Sequence, residues 1–254
     1  MTIEENVYSS NVQFYDLPSE EEIINWLKNN KSKLLEEDIK MHIFIIYDIK
    51  KDKTYEYQIM SGKSSNYIKK IIHNGILLKE KDIMPRVEKR LCDNIYVETK
   101  IEKIIKKLSS EYKTIATMES CTGGSLAGCI TNVSGASDIL QESYVTYCNE
   151  AKIKLGVPVE IIEKYTVYSL ETSEAMATAV KEFARSNIGI GITGQLGRID
   201  PKNTGIEPNK VWYTIDDGDN TFSCEIIIVD SEATRQQKKM IIINEIIEDL
   251  YNLY

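Results

Sequence analysis

Residues 113–118, KTIATM, form a short apolar and β-branched run, and after the polar ESCTGG the apolar positions return in SLAGCI at helical spacing. That change of period predicts a strand, a turn and a helix. The same exchange recurs, predicting strands over 114–118, 143–148, 188–192, 210–215 and 222–229 and helices over 124–132, 150–155, 170–186 and 232–252. Ser169 is placed to cap the third of these helices, with Glu171 in its first turn and Ala175, Met176, Ala179, Val180 and Phe183 as its buried stripe. Strands alternating with helices predict a layered α/β/α domain on a mixed, mostly parallel sheet, with ligands at the C-terminal strand ends. The DDGDN segment (216–220) predicts a tight turn that makes the last two strands antiparallel.

Upstream the pattern is different and predicts a small α+β domain over 1–98, separate from the domain over 99–254. SEEEIINWLKNNKSKLLEE (19–37) has helical spacing behind Ser19, and MHIFIIYDI with KTYEYQIM reads as a hairpin turning at KKDK. SNYIKKIIHNG (65–75) reads as a helix that Gly75 ends. The amphipathic VETKIEKIIKKLSSEYK (97–113) either links the two domains or opens the second.

Composition narrows the function. The chain has 254 residues, 42% of them hydrophobic, enough for one large domain or two modest ones. No apolar run approaches the roughly 20 residues of a membrane span, and the first residues lack the basic and apolar regions of a signal peptide, so a cytoplasmic protein without membrane contact is expected. Five scattered cysteines, with no CxxC pair, suggest reduced thiols and no metal site. A net charge of -8 argues against nucleic acid as a partner, so an anionic ligand has to meet a local positive pocket. Glycine is sparse in the first hundred residues and clustered after them, which assigns close backbone approach to a ligand to the second domain.

Three polar or glycine-bearing segments each follow a predicted strand: ESCTGG, YCNEAK (147–152) and TGQLGRIDP (193–201). In a layered α/β domain these ends converge and form the candidate site. The only histidines are His42 and His73, both in the first domain, where they read as surface or packing residues. If Ser120 is a nucleophile, its base is therefore a lysine, a tyrosine or a carboxylate, and YCNEAK offers Tyr147, Glu150 and Lys152. A desolvated lysine loses its proton near neutral pH, and Thr193 adds a hydroxyl. Gly123 and Gly124 at a helix start leave backbone amides for a phosphate or an oxyanion, or else simply make a tight turn. Cys121 is a rival nucleophile, although a structural thiol is the commoner role.

Together ESCTGGSLAG, GASDIL with YVTYCNEAK, and TG after a glycine-rich strand resemble the C-terminal domain of the CinA family, the nicotinamide mononucleotide deamidases also called PncC. The resemblance covers roughly 101–254 and does not extend to the first hundred residues. It implies hydrolysis of the carboxamide of nicotinamide mononucleotide to nicotinate mononucleotide and ammonia, without cofactor or metal. It further implies a homo-oligomer, with a small-molecule nucleotide as the binding partner.

Residue by residue, the resemblance implies Ser120 as nucleophile, Tyr147 and Lys152 as its helpers and Thr193 beside them. It places Ser137 near the site and Arg235 at the start of the last helix. Cys121, Thr122, Gly123, Gly124, Asn149, Glu150 and Gly194 complete the expected substrate-binding set. This chain departs from the family in TGQLGRIDPKNTG, which replaces a glycine run with Arg198, Asp200 and Pro201, and in Ser231, which stands where a first arginine falls. Arg198 either pairs with a phosphate or is held on the surface by Asp200. Two further readings remain: a nucleotide-binding sensor without catalysis, and an amidase of the same mechanism on another substrate.

Overall fold

A computed structural model describes residues 6–9, 12–16, 40–48, 53–61, 67–74, 97–197, 208–229 and 233–254. The helix expected over 19–37 and the residues around Arg198 lie outside the described residues. The chain forms two compact units, one of Met1–Glu88 with Ile226–Ala233 and one of Lys89–Glu225 with Thr234–Tyr254.

In the first unit the strands β1 (Asn6–Ser9), β2 (Val12–Asp16), β3 (Lys40–Asp48), β4 (Lys53–Ser61) and β5 (Tyr67–Asn74) lie side by side in chain order. β3 and β4 pair antiparallel from Lys40↔Ser61 to Asp48↔Lys53, which is the expected hairpin. β5 corrects the helix expected over 65–75, because it pairs antiparallel with β4 from Lys53↔Asn74 to Met60↔Tyr67. Its apolar residues 67, 68, 71 and 72 do have helical spacing. A neighbouring strand end, two β-branched residues at 71–72 and burial of Ile68 and Ile71 outweigh that local pattern.

The second unit carries α1 (Val97–Ser110), β6 (Ile115–Glu119), α2 (Ser125–Thr131), a 3-10 turn (Ala136–Asp138) and β7 (Leu140–Val145). Then follow α3 (Asn149–Lys154), α4 (Val159–Tyr165), α5 (Leu170–Ala184), β8 (Ile188–Gln195), β9 (Lys210–Asp216), β10 (Thr221–Ile228), whose last three residues are counted with the first unit, and α6 (Arg235–Leu253). The strand order is β10-β9-β8-β6-β7, with β6 parallel to both β7 and β8. β9 runs antiparallel to β8, so the sheet turns antiparallel one strand earlier than expected. The turn to β10 closes through Asp217 N–H on the Asn220 carbonyl, with Gly218 at φ 93°. β7 begins three residues before its predicted start, and α4 is a helix that the apolar pattern did not indicate.

Successive residues of a strand face opposite sides. On β9, Thr214 and Asp216 meet Ser173, Thr178 and Lys181 of α5, whereas Tyr213 bonds Asp249 of α6. The sheet is thus sandwiched between α5 on one face and α6 on the other, the layered arrangement expected. α6 packs with α1, whose Ile101, Ile104, Ile105 and Leu108 are buried, and the buried Lys100–Glu248 pair links the two helices. Among the described residues no helix is long and apolar enough to cross a membrane.

The glycines of β8 correct an expectation about ligands. A Cβ at Gly189 would overlap the Ala177 carbonyl, and one at Gly191 would overlap that of Ser173, so the backbone brought close here is that of α5. This close seating also rotates α5. Thr172, Ser173, Met176, Ala177, Val180 and Ala184 are buried, while Phe183, expected inside, is 54% exposed and stacks edge-on against Tyr144. Gly191→Ala should cost about 3 kcal/mol by overpacking and lower Tm by roughly 6–10 °C. A melt unchanged from the parent protein would mean that α5 is not seated on β8 in this way.

Candidate active site

β6 delivers Ser120 just beyond its C-terminal end, and its backbone is tied on both sides. Ser120 N–H donates to the Ile192 carbonyl of β8 at 2.9 Å, and Thr146 N–H, just past β7, donates to the Glu119 carbonyl at 2.8 Å. α3 begins three residues after Thr146 and turns Lys152 back toward that strand end. Its Nζ lies 3.1 Å from Ser120 Oγ and donates to the Thr146 carbonyl at 2.7 Å. Ser120 and Lys152 are only 7% and 2% exposed. Burial disfavours the ammonium and pulls Lys152 down to about 8, with the Cys121 and Cys148 thiols pulling weakly the other way. A neutral amine beside a hydroxyl, its orientation held by a carbonyl, can take that hydroxyl's proton.

The turn after Ser120 is organised by Glu119, for which no role was read from the sequence. Its buried carboxylate accepts the N–H groups of Gly124 at 3.0 Å, Leu126 at 3.1 Å and Ala127 at 2.9 Å. The free amides at the start of α2 are therefore neutralised from within the chain. Gly123 N–H is taken by the Ser120 carbonyl at 3.1 Å. This corrects the expectation that the amides of Gly123 and Gly124 hold an anion: these glycines supply the left-handed turn, at φ 63° and 86°. Among the described residues no other residue takes the amides of Cys121 and Thr122, the Cys121 N–H meeting only its own thiol, so these two are the amides the turn leaves for an oxyanion. Thr122 Oγ1, beside them, is buried and without a hydrogen-bond partner. Burial pushes the Cys121 thiol up to about 12, which favours its protonated form and argues for the structural role over the nucleophilic one.

The other expected residues separate into groups. Tyr147 is 65% exposed, and its hydroxyl accepts from Arg235 Nη2 at 3.0 Å; it has no hydrogen bond to Ser120 or Lys152. Arg235 also donates to the Leu196 carbonyl, so it joins the ends of three segments: β7–α3, β8 and α6. Thr193 is fully buried, and its hydroxyl donates to the Val167 carbonyl at 2.5 Å instead of into the site. At Gly194 a Cβ would press into the Lys210 carbonyl, so this glycine serves the β8–β9 approach. Asn149 and Glu150 are exposed in the first turn of α3.

Ser137 sits at the other end of the sheet. It precedes Leu140, which pairs with Ile115 at the start of β6, whereas Ser120 follows the end of β6. Five strand residues, about 17 Å, separate the two levels. Ser137 instead lines a cavity of about 340 Å³ with Thr131, Val133, Gly135, Ala136 and Leu140. Among the described residues no cluster of three His, Cys, Asp or Glu side chains is arranged to hold a metal. The sequence signal for Glu119 was an acid just ahead of a helix whose N-cap glycine has no side chain to cap it. Lys239 was also missed. A Cβ on Gly123 would meet its Nζ at 3.2 Å.

The profile of the CinA C-terminal domain matches residues 97–250. A competence-damage inducible protein of Alkaliphilus oremlandii is 39% identical over 161 residues, covering 60% of this chain and 39% of that protein. One from Clostridium acetobutylicum is 43% identical over 116 residues, covering 44% of this chain and 28% of that protein. The chain thus spans well under half the length of these relatives. Among solved structures, competence/damage inducible protein CihA of Agrobacterium tumefaciens superposes with a TM-score of 0.56 at 26% identity, covering 62% of this chain and 94% of that one. A counterpart from Enterobacter asburiae, at 24% identity and a TM-score of 0.57, shares the fold over 63% of this chain and 99% of its own. The serine–lysine strand end therefore lies within the matched domain, and the chain belongs to the CinA family through its C-terminal domain.

Proposed function

We propose that this domain is an amidohydrolase that deamidates nicotinamide mononucleotide to nicotinate mononucleotide and ammonia. The observation that carries the reading is the buried Lys152 amine 3.1 Å from Ser120 Oγ, with burial holding the lysine near 8. Neutral Lys152 takes the Ser120 proton as Oγ bonds to the carboxamide carbon, and the amides of Cys121 and Thr122 receive the oxyanion. The C–N bond then breaks, and the Lys152 ammonium returns its proton to the departing nitrogen, which leaves as ammonia. Water attacks the resulting ester, Lys152 takes its proton and passes it to Oγ, and the acid is released. Tyr147 acts as a positioning residue through Arg235, and Thr193 supports the strand end that carries the pocket wall. The choice of substrate rests on the motif resemblance and on the cationic Arg235 beside the site.

Ammonia and nicotinate mononucleotide, measured together from purified protein and nicotinamide mononucleotide, should appear in equal amounts. A folded protein that binds the nucleotide and releases neither would overturn the reading in favour of a sensor. Turnover of other amides alone would keep the mechanism and replace the substrate.

A further inference from the structure

Helix α6 presents two cations one turn apart on its first two turns, Arg235 and Lys239, toward the turn that follows the nucleophile. Arg235 has neutral partners, the Tyr147 hydroxyl and the Leu196 carbonyl. Lys239 is half-buried, and among the described residues it has neither a hydrogen bond nor an ion pair. The carboxylate that organises the turn, Glu119, is already bonded to three amides. Two like charges at this spacing repel, and among the described residues no carboxylate pairs with either.

We propose that Arg235 and Lys239 form a subsite for a phosphate monoester dianion, with Lys239 the residue that makes the site prefer a nucleotide over its nucleoside. Ser120 opens the turn and Gly123 closes it, so an anion at Lys239 and an acyl carbon at Ser120 belong to different ends of one ligand. Gly123 is part of the device, because any side chain there would displace the ammonium from the turn. Lys239 is a mobile point charge and Arg235 a fixed fork, a pairing that holds a phosphate by direction and by charge together. The identity of the ligand as a nucleotide rests on the amidase reading; the anion subsite itself does not.

The test has two arms on Lys239→Met, with Lys239→Arg as the charge-retaining variant. In the first, kcat/KM for ammonia release is measured with nicotinamide mononucleotide and with its nucleoside. The nucleotide-over-nucleoside ratio should fall about tenfold in the Met variant, through KM, and be kept in the Arg variant. In the second, inorganic phosphate is titrated calorimetrically into each protein, and its Kd should rise about tenfold only in the Met variant. An unchanged ratio and an unchanged phosphate Kd in the Met variant would overturn the subsite while leaving the amidase reading intact. If the parent protein releases no ammonia but phosphate binding still depends on Lys239, the subsite stands and the amidase reading fails.

Discussion

Lys152→Met is expected to lower ammonia release about a thousandfold or more in protein that remains folded. The loss of a positioned base alone costs roughly 10²–10⁴ in rate. Lys152→Arg is expected to be equally inactive, because a guanidinium fills the space and keeps the charge yet does not give up its proton. If the neutral amine is the working form, kcat/KM should rise with pH and level off above about 8, the value to which burial lowers Lys152. Stability should depend on the same residue. Between about 8 and the ordinary lysine value the folded state binds fewer protons than the unfolded chain, so stability rises with pH across that window. Below about 8 the folded state carries the full cost of a buried ammonium. The Met variant should therefore be most favoured over the parent at neutral pH, and its advantage should shrink as pH climbs toward 10. A flat rate profile, or an active Arg variant, would remove Lys152 from the role of base.

Glu119→Ala has the second largest effect, and it acts on stability and rate together. The buried carboxylate holds three amides at the start of α2, one of them buried and two part-buried. Unsatisfied buried groups cost about 1–3 kcal/mol each, so the variant should lose on the order of 4 kcal/mol and melt roughly 10 °C lower. The turn also sets the free amides of Cys121 and Thr122 relative to Ser120 Oγ. Ammonia release should fall at least about a hundredfold even at temperatures where the variant is folded. Glu119→Gln keeps the shape but turns an amide donor toward other donors, so its melt should lie between the two. If Glu119→Ala melts with the parent protein, the amides are satisfied by another route, and the oxyanion assignment to Cys121 and Thr122 loses its basis.

These expectations separate what is local from what is not. The stripe of α1, the Ser169 cap that accepts Thr172 N–H, the turn through Asp217 and Gly218, and the placing of Ser120 between a strand and a helix are all legible over a few residues. Each depends on backbone preference or apolar period, which a short segment carries with it. β5 was misread because its period was helical while its partner strand lay outside the segment. Ser137 was grouped with Ser120 by its motif, although the register of β6 and β7 puts the two serines at opposite ends of the sheet.

Lys152 and Lys154 make the division plain. They stand two residues apart on the same short helix, with the same side chain and the same local propensity. The sequence by itself determined that a lysine-bearing helix follows β7 and that a serine-bearing turn follows β6. Only the tertiary structure decided that Lys152 is buried against Ser120 and Thr146 while Lys154 is left in solvent, and with that which amine loses its proton near neutral pH. Glu119 against the amides of α2 and Lys239 against Gly123 belong to the same class. Desolvation and the meeting of distant groups depend on what surrounds an atom in space, which residue spacing along the chain does not record.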